Sequence, residues 1–225
     1  MAHSMRAGGR PTCLAKVAGV YSITVKSTAA AAQGQGGPGG QGASPYRDGA
    51  VDIIVMENIF YDRQITRIYD LKGSERSRFN ADAAANPQDA GEVHLDDNLR
   101  RANMQAPILV EQPQLRAMEL ALWRDTAFLA ALGVMDYSLL VGVDKERNAL
   151  VIAIIDFIRQ YTWDKQLETW VKSSGILGGN GKEPTIISPK QYCRRFRSAI
   201  SGYFTLVPGD ADVEPPLDPE AMMPA

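Results

Sequence analysis

The clearest hydrophobic pattern in the chain is a pair of apolar runs separated by a polar turn. Residues 134–144 form an apolar strand, residues 145–148 form a turn of hairpin length, and residues 149–155 return as a β-branched apolar run. In an antiparallel pair closed by this turn, the start of the first strand lies beside the end of the second. We therefore expect Asp136 and Asp156 to share one rim of the sheet.

Two carboxylates at the end of a buried strand pair suit a general base and a magnesium ligand acting on a phosphate, because a hard cation prefers carboxylate oxygens. The alternative is that Asp136 and Asp156 are solvated acids at two strand ends.

The same kind of pattern predicts further strands at residues 14–25, 51–57 and 64–71. Residues 113–132 form the best helix, which Gly133 is placed to end. Its apolar stripe consists of Leu115, Met118, Leu122, Leu129 and Leu132. A last helix is predicted to begin at Ser188-Pro189, because Ser is a favourable N-cap residue and Pro is favourable at the first helical position. It carries Tyr192, Phe196, Ile200 and Tyr203 on one side.

Four segments lack the pattern of a buried element. Residues 27–49 are rich in Gly, Ala and Gln and predict a flexible insertion, because they hold almost no large apolar side chain. Residues 80–91 predict a loop, and residues 175–181 a Gly-rich loop. Residues 208–225 predict a disordered acidic tail. Apart from the insertion, residues 12–207 are thus expected to form the folded part of the chain.

Charge is unevenly distributed along the 225 residues, although the net charge is only −2. Between Asp156 and Ile200 there are eight basic and four acidic residues, whereas the chain from Pro208 onward has five acids and no base. The overall balance argues against a general nucleic-acid coat protein, and the basic half favours an anionic surface as partner.

The cysteines and the hydropathy of the chain indicate the kind of compartment in which it works. Cys13 and Cys193 are far apart and give neither a disulfide framework nor a metal-ligand spacing, which favours a reducing compartment. No apolar run approaches transmembrane length, and the N-terminus lacks a signal-peptide pattern. We therefore expect any contact with a membrane to be peripheral.

Three motifs occur along the chain in this order: Asp-Leu-Lys-Gly-Ser at 70–74, Met-Asp-Tyr-Ser-Leu-Leu-Val-Gly at 135–142, and Ile-Ile-Asp at 154–156. Together they resemble the phosphatidylinositol-phosphate kinase family. Residues 161–165 and 175–179 look most like its phosphatidylinositol 3-phosphate 5-kinase branch. The resemblance implies an α+β, protein-kinase-like bilobal fold, with ATP and Mg²⁺ as cofactors. It also implies that residues 12–207 form the catalytic region of such a kinase.

The resemblance also implies roles for individual residues. Asp136 matches the catalytic-loop aspartate, which accepts or orients the proton of the attacking hydroxyl. Asp156 matches the aspartate that holds Mg²⁺ against the nucleotide phosphates. Lys72 matches the lysine that neutralises phosphate, and Gly73 allows close backbone approach.

Two further candidate binding sites rest on less specific sequence patterns. Met56, Glu57 and Asn58 would form the hinge that faces the nucleotide base, or else an edge strand passing into a turn. Arg76 and Arg78, two positions apart, could share a face of an extended segment and bind phosphate through bidentate hydrogen bonds. The alternative for this pair is a solvated strand end.

The segment after Asp156 is where substrate choice is expected. Residues 161–173 could form an amphipathic helix that combines indole and ammonium side chains, a combination typical of the headgroup boundary of a bilayer. These side chains are Trp163, Trp170, Lys165 and Lys172. A packed core helix is the alternative. In the family this position holds the activation loop that selects the phosphoinositide, and the branch resemblance implies a peripheral location on endosomal or vacuolar membrane.

Three functions follow as hypotheses. The first is a lipid kinase that transfers the γ-phosphate of ATP to the 5-hydroxyl of phosphatidylinositol 3-phosphate. The second is a catalytically incomplete or silent phosphoinositide-binding module, and the third is a soluble inositol-phosphate or protein kinase. Intact Lys72, Asp136 and Asp156 favour the first over the second, and the Trp/Lys face argues against the third.

The nucleotide-binding lobe is expected to be incomplete. A kinase of this kind holds ATP with a glycine-rich strand-turn-strand and a strand-borne lysine, both upstream of the hinge. Only Lys16 and Lys26 precede residue 55, and Gly8-Gly9 has no flanking strands. We therefore expect these 225 residues to bind phosphoinositide vesicles but to transfer phosphate poorly.

Overall fold

The computed structural model describes residues 11–24, 50–74, 78–87, 89, 91–158, 188–207, 215 and 217–223. The chain divides into two compact units, which are Ala15–Asn58 and the combination of Met1–Leu14 with Ile59–Ala225. Both helices and strands are present, as the predicted mixed α and β class requires.

The smaller unit is a two-stranded antiparallel sheet. Strand β1 (Val17–Thr24) pairs with β2 (Ala50–Met56), from Val17 opposite Met56 to Thr24 opposite Ala50. This agrees with the strands predicted at residues 14–25 and 51–57. Beside the pair, the Glu57 amide donates to the Lys16 carbonyl at 2.9 Å, and the Lys16 ammonium lies 3.0 Å from the Glu57 carboxylate.

The larger unit is built on a four-stranded mixed sheet. Its strands are β3 (Ile65–Leu71), β4 (Val93–His94), β6 (Ser138–Asp144) and β7 (Ala149–Ile155), in the order β4-β3-β6-β7. Strand β6 runs antiparallel to both of its neighbours, whereas β4 runs parallel to β3. A separate parallel pair joins β5 (Ile108–Val110) to β8 (Phe204–Leu206).

The predicted hairpin is confirmed. Strands β6 and β7 pair from Ser138 opposite Ile155 to Asp144 opposite Ala149, so the turn is residues 145–148. The buried Asp144 carboxylate closes it by accepting hydrogen bonds from the backbone and guanidinium of Arg147, at 3.2 and 3.4 Å. This end of the hairpin is therefore fixed, and the other end carries the two acids singled out above.

The described residues contain four helices that pack around the sheet: α1 (Ala81–Ala85), α2 (Asp96–Gln105), α3 (Gln112–Ala131) and α4 (Pro189–Ser201). Helix α3 confirms the prediction for residues 113–132, and its predicted stripe is buried except for Leu132, which lies past its last turn and is 48% exposed. None of the helices in the described residues is long and apolar enough to cross a membrane.

Helix α4 begins with the predicted cap. The Ser188 hydroxyl accepts from the Gln191 amide at 3.2 Å, and the Gln191 side chain accepts from the Ser188 amide at 2.8 Å. The four predicted apolar positions all lie in the core: Tyr192, Phe196, Ile200 and Tyr203. Burying this aromatic face fixes α4 against the sheet.

Residues 11–14 also belong to the larger unit and pack against α3 and β7. The Cys13 amide donates to the Asp125 carboxylate of α3 at 2.5 Å, and the Cys13 carbonyl accepts from the Ile154 amide at 2.6 Å. Burial, reinforced by the Asp125 charge, raises the pKa of the Cys13 thiol to about 12. Cys13 and Cys193 are both free and buried, as the sequence predicts for a chain without a disulfide framework.

Two segments differ from the sequence predictions. Residues 80–91 are not all loop, because Asn80 caps a short helix, α1, by accepting from the Asp82 and Ala83 amides. The tail predicted to be disordered contains residues 217–223, which the structure places against α3 and α4. There the Asp218 carbonyl accepts from the Trp123 indole at 2.8 Å, and the Glu220 carboxylate lies 2.8 Å from the Arg194 guanidinium.

Arg197 holds this tail segment to the core. Its side chain is fully buried and donates to the Pro219 and Ala221 carbonyls, at 2.9 and 2.6 Å. On the other side it donates to the Thr126 hydroxyl at 2.8 Å and to the Trp123 carbonyl. One guanidinium therefore satisfies four acceptors from two parts of the chain.

We expect Arg197→Met to lower the free energy of unfolding by about 3 kcal/mol, because four buried acceptors lose their donor. Urea denaturation of the 225-residue chain measures this. Arg194→Met is the matched control, since its exposed pair with Glu220 contributes at most about 1 kcal/mol. Equal stability of the two variants would contradict the role given to Arg197.

Candidate active site

Three chain segments meet at one end of the four-stranded sheet. Strand β3 ends at Leu71 opposite Leu139, and Ser138 at the start of β6 lies opposite Ile155 at the end of β7. Lys72, Asp136 and Asp156 are one or two residues beyond these strand ends. The strand register thus confirms the prediction that Asp136 and Asp156 share one rim of the sheet.

Lys72 is bonded directly to Asp136. Its ammonium lies 2.7 Å from the Asp136 carboxylate and 2.8 Å from the Asp136 carbonyl oxygen. The Asp136 side chain remains 76% exposed, whereas that of Lys72 is 22% exposed. The lysine thus fixes the carboxylate on one side and leaves its other side open to a ligand.

Both acids have backbone conformations that side chains rarely adopt. The φ angles are +65° at Asp136 and +62° at Asp156. Asp tolerates this left-handed region better than most residues, but the conformation still costs about 1 kcal/mol or more. Such residues cluster at functional sites, and here the pair flanks the same sheet end.

Asp96 holds the segment that carries Lys72. This carboxylate, in the first turn of α2, is fully buried. It accepts from the backbone amides of Lys72 and Gly73, at 3.2 and 2.8 Å, and from the Tyr203 hydroxyl at 2.8 Å. The turn that follows β3 is therefore fixed by a side chain 24 positions away in sequence.

Arg78 completes this network. Its guanidinium lies 2.7 Å from the Asp96 carboxylate and 3.2 Å from the Asp70 carboxylate. It therefore balances the charge of the buried Asp96, which would otherwise be costly to bury. The direct contact of Arg78 with substrate phosphate stays a prediction.

Gly73 is constrained both by its backbone and by its neighbours. Its φ angle is +62°, and a Cβ atom at this position would lie 2.9 Å from the Ala199 side chain and 3.0 Å from the Phe196 Cα. Any other residue would be strained and would push α4 away. Glycine thus lets the Lys72 turn rest directly on α4.

Helix α4 also reaches the Asp136 segment. The Tyr192 hydroxyl donates to the Tyr137 carbonyl, and the Tyr137 ring packs edge-on against Tyr192 and Phe196, with centroids 4.8 and 5.1 Å apart. Burial raises the pKa of Tyr192, and the nearby Asp136 charge adds to this shift. One helix therefore supports the backbone on both sides of the Lys72–Asp136 pair.

The residues at this rim fit a magnesium ion that arrives with a nucleotide. Among the described residues, no group of three or more His, Cys, Asp or Glu side chains could hold a metal by itself. Mg²⁺ normally takes one or two protein carboxylates and completes its shell with water and phosphate. Asp156, an exposed carboxylate at the strand end, is the residue of this rim that could serve as such a ligand.

The other predicted site residues fall into two groups. Met56, Glu57 and Asn58 belong to the smaller unit, at and just beyond the end of β2. The remaining five lie outside the described residues: Arg76, Trp163, Lys165, Trp170 and Lys172. Conversely, sequence reasoning missed Asp96 and Tyr192 as site residues, because their importance rests on contacts with distant segments.

The chain belongs to the phosphatidylinositol-4-phosphate 5-kinase family, whose model matches residues 7–151 and 144–203. It is 52% identical over 201 residues to a putative 1-phosphatidylinositol-3-phosphate 5-kinase of Arabidopsis thaliana, covering 89% of this chain and 11% of that protein. The 1-phosphatidylinositol 3-phosphate 5-kinases of Saccharomyces cerevisiae and Homo sapiens are 43% and 40% identical over 88% of this chain.

These findings confirm the resemblance to the phosphatidylinositol 3-phosphate 5-kinase branch. The chain spans only about a tenth of the length of the curated relatives it matches, covering 8% of the yeast protein and 9% of the human one.

Proposed function

We propose that this protein is a lipid kinase that transfers the γ-phosphate of ATP to the 5-hydroxyl of phosphatidylinositol 3-phosphate. The observation that carries the proposal is the 2.7 Å pair of Lys72 and Asp136 at the sheet end that also presents Asp156. In this proposal Lys72 is the cation, Asp136 the base and Asp156 the metal ligand, and all three serve the transfer of one phosphate group. The names of the relatives supply the substrate.

Asp136 would receive the attacking hydroxyl. Its exposed carboxylate is free to accept a hydrogen bond from a lipid hydroxyl while Lys72 holds its other oxygen in place. The proton leaves the hydroxyl as the bond to phosphorus forms, so the carboxylate orients the nucleophile and takes up its proton.

Lys72 would act on the phosphate itself. Phosphoryl transfer requires little covalent chemistry from the protein and depends on positioning and on charge stabilisation. The ammonium is held by Asp136 and carried on a turn that Asp96 fixes, so it needs little rearrangement to stabilise the negative charge of the transferring group.

Asp156 would hold the magnesium of Mg·ATP. When bound, this ion neutralises the nucleotide phosphates and orients them. Asp156 has a left-handed backbone immediately after β7, and it is exposed at the rim.

The nucleotide base would contact Met56, Glu57 and Asn58 as the hinge of a protein-kinase-like bilobal fold, with the smaller unit forming part of the nucleotide lobe. We further propose that the substrate and membrane are bound by Arg76, Arg78, Trp163, Lys165, Trp170 and Lys172. A peripheral location on an endosomal or vacuolar membrane follows from this substrate.

A panel of vesicles tests the proposal and separates a kinase from a silent binding module. The complete gene product is given labelled ATP and vesicles that contain phosphatidylinositol, phosphatidylinositol 3-phosphate or phosphatidylinositol 3,5-bisphosphate. Label should enter the 3-phosphate lipid and not the bisphosphate, whose 5-hydroxyl is blocked. Binding without transfer would support the silent module instead.

A further inference from the structure

Arg195 on α4 lies beside the turn that carries Lys72. Its carbonyl oxygen is 3.3 Å from the position that a Cβ atom would take on Gly73. The backbone of Arg195 is thus in close contact with the residue that follows Lys72. In the sequence, Arg195 is one of the eight basic residues between Asp156 and Ile200.

The guanidinium of Arg195 lies over an aromatic ring. Its Cζ atom is 4.9 Å from the centroid of Tyr192, whose hydroxyl donates to the carbonyl of Tyr137 beside Asp136. The Asp136 charge raises the pKa of Tyr192 whereas the Arg195 charge lowers it, so both groups act on the same phenol. Arg195 and the candidate base therefore flank Tyr192.

The hydrogen-bonding capacity of Arg195 is incompletely used. Its Nε atom is buried and has no hydrogen-bond partner, and no ion pair among the described residues includes it. An unpaired buried donor is costly. The side chain as a whole is partly exposed, and its two terminal Nη nitrogens can still form bidentate hydrogen bonds.

Neighbouring cations differ from Arg195 in this respect. Lys72 is paired with Asp136, Arg78 with Asp70 and Asp96, and Arg194 with Glu220. Arg197 is buried among carbonyl and hydroxyl oxygens. Within the described part of this rim, Arg195 is thus the cation that has neither a carboxylate partner nor a hydrogen bond at its Nε atom, whereas the Nε of Arg197 donates to Thr126.

We propose that Arg195 binds a phosphate group of the substrates at this rim, through bidentate hydrogen bonds to two phosphate oxygens. The planar guanidinium matches phosphate geometry, and the Tyr192 ring beneath it fixes its plane. The proposal rests on the proposed function for the presence of phosphate. Two sources share this chemistry: the 3-phosphate of the lipid headgroup and the γ-phosphate of ATP.

Binding to the 225-residue chain tests this without requiring turnover. Soluble dibutanoyl phosphatidylinositol 3-phosphate and Mg·ATP are titrated separately into wild type and Arg195→Gln, which keeps the apolar stem. Loss of charge-assisted bonds should weaken binding of one ligand about tenfold or more. Arg194→Gln, which removes the same charge one residue away, should change neither affinity by more than about twofold.

The two titrations distinguish the sources. If Arg195 binds the headgroup phosphate, the variant loses affinity for the 3-phosphate lipid and not for dibutanoyl phosphatidylinositol, which lacks that group. If it binds the γ-phosphate, the loss appears with Mg·ATP and is absent with Mg·ADP. Arg195→Lys, which keeps the charge without the planar edge, should recover only part of the affinity.

Equal loss in Arg194→Gln and Arg195→Gln, or no loss in either, would overturn the proposal. A melting temperature of Arg195→Gln well below that of wild type, with weaker binding of every ligand, would also overturn it, because the role would then be structural. If the vesicle panel shows no kinase activity but these titrations behave as expected, the proposed function fails and the phosphate site stands.

Discussion

Replacing Asp136 by Asn is expected to abolish turnover, by about 10³-fold or more, while leaving the affinity for Mg·ATP nearly unchanged. Asn keeps the size of the side chain but neither accepts a proton nor attracts the Lys72 ammonium, which now lies 2.7 Å away. Asp156→Asn is expected to lower both turnover and Mg-dependent nucleotide binding, because its proposed contact is with the metal.

Both variants are measured by phosphate transfer in the complete gene product and by nucleotide titration with and without Mg²⁺. The comparison between them is internally controlled, because each removes one carboxylate from the same rim. Near-wild-type turnover in both variants would contradict the assignment. Loss of nucleotide binding in Asp136→Asn alone would show that the two roles are exchanged.

Asp96→Asn is expected to damage both stability and catalysis. The buried carboxylate accepts four hydrogen bonds, two of them from the consecutive amides of Lys72 and Gly73 and one from Arg78. Breaking a buried ion pair by removing one partner costs about 3–5 kcal/mol. The turn that aims Lys72 also loses its anchor, so kcat should fall more than KM rises.

Tyr203→Phe is the matched control for this variant. It removes one of the four donors to Asp96 and leaves the Lys72, Gly73 and Arg78 contacts in place. Denaturation should show a smaller loss for Tyr203→Phe, about 1–2 kcal/mol, with kcat largely retained. If Asp96→Asn retained wild-type kcat at a temperature where it is folded, Asp96 would have no positioning role.

Local patterns were sufficient to predict the hairpin and the two long helices. Apolar runs and β-branching predicted the strands on either side of residues 145–148, and antiparallel pairing then placed Asp136 and Asp156 together. The Ser188 cap and the aromatic face of α4 followed from helical spacing. These features depend on neighbours in sequence, which is why periodicity detects them.

Features that depend on distant segments were not predictable in this way. Asp96 lies in a polar stretch, so neither the helix α2 nor the burial of its first carboxylate has an apolar signature. The tail is held largely through backbone carbonyls that bond to Trp123 and Arg197, and such contacts leave no pattern in the tail itself. The roles of Lys72, Asp136 and Asp156 came from the motif resemblance.

Identification of the product most directly tests whether the rim formed by Lys72, Asp136 and Asp156 transfers phosphate to a phosphoinositide. The complete gene product and its Lys72→Met variant are incubated with ATP and phosphatidylinositol 3-phosphate vesicles, and the position of the new phosphate on the headgroup is determined. The expected result is phosphatidylinositol 3,5-bisphosphate from wild type and almost none from Lys72→Met. Undiminished product from the variant, or phosphate on another hydroxyl of the headgroup, would contradict it.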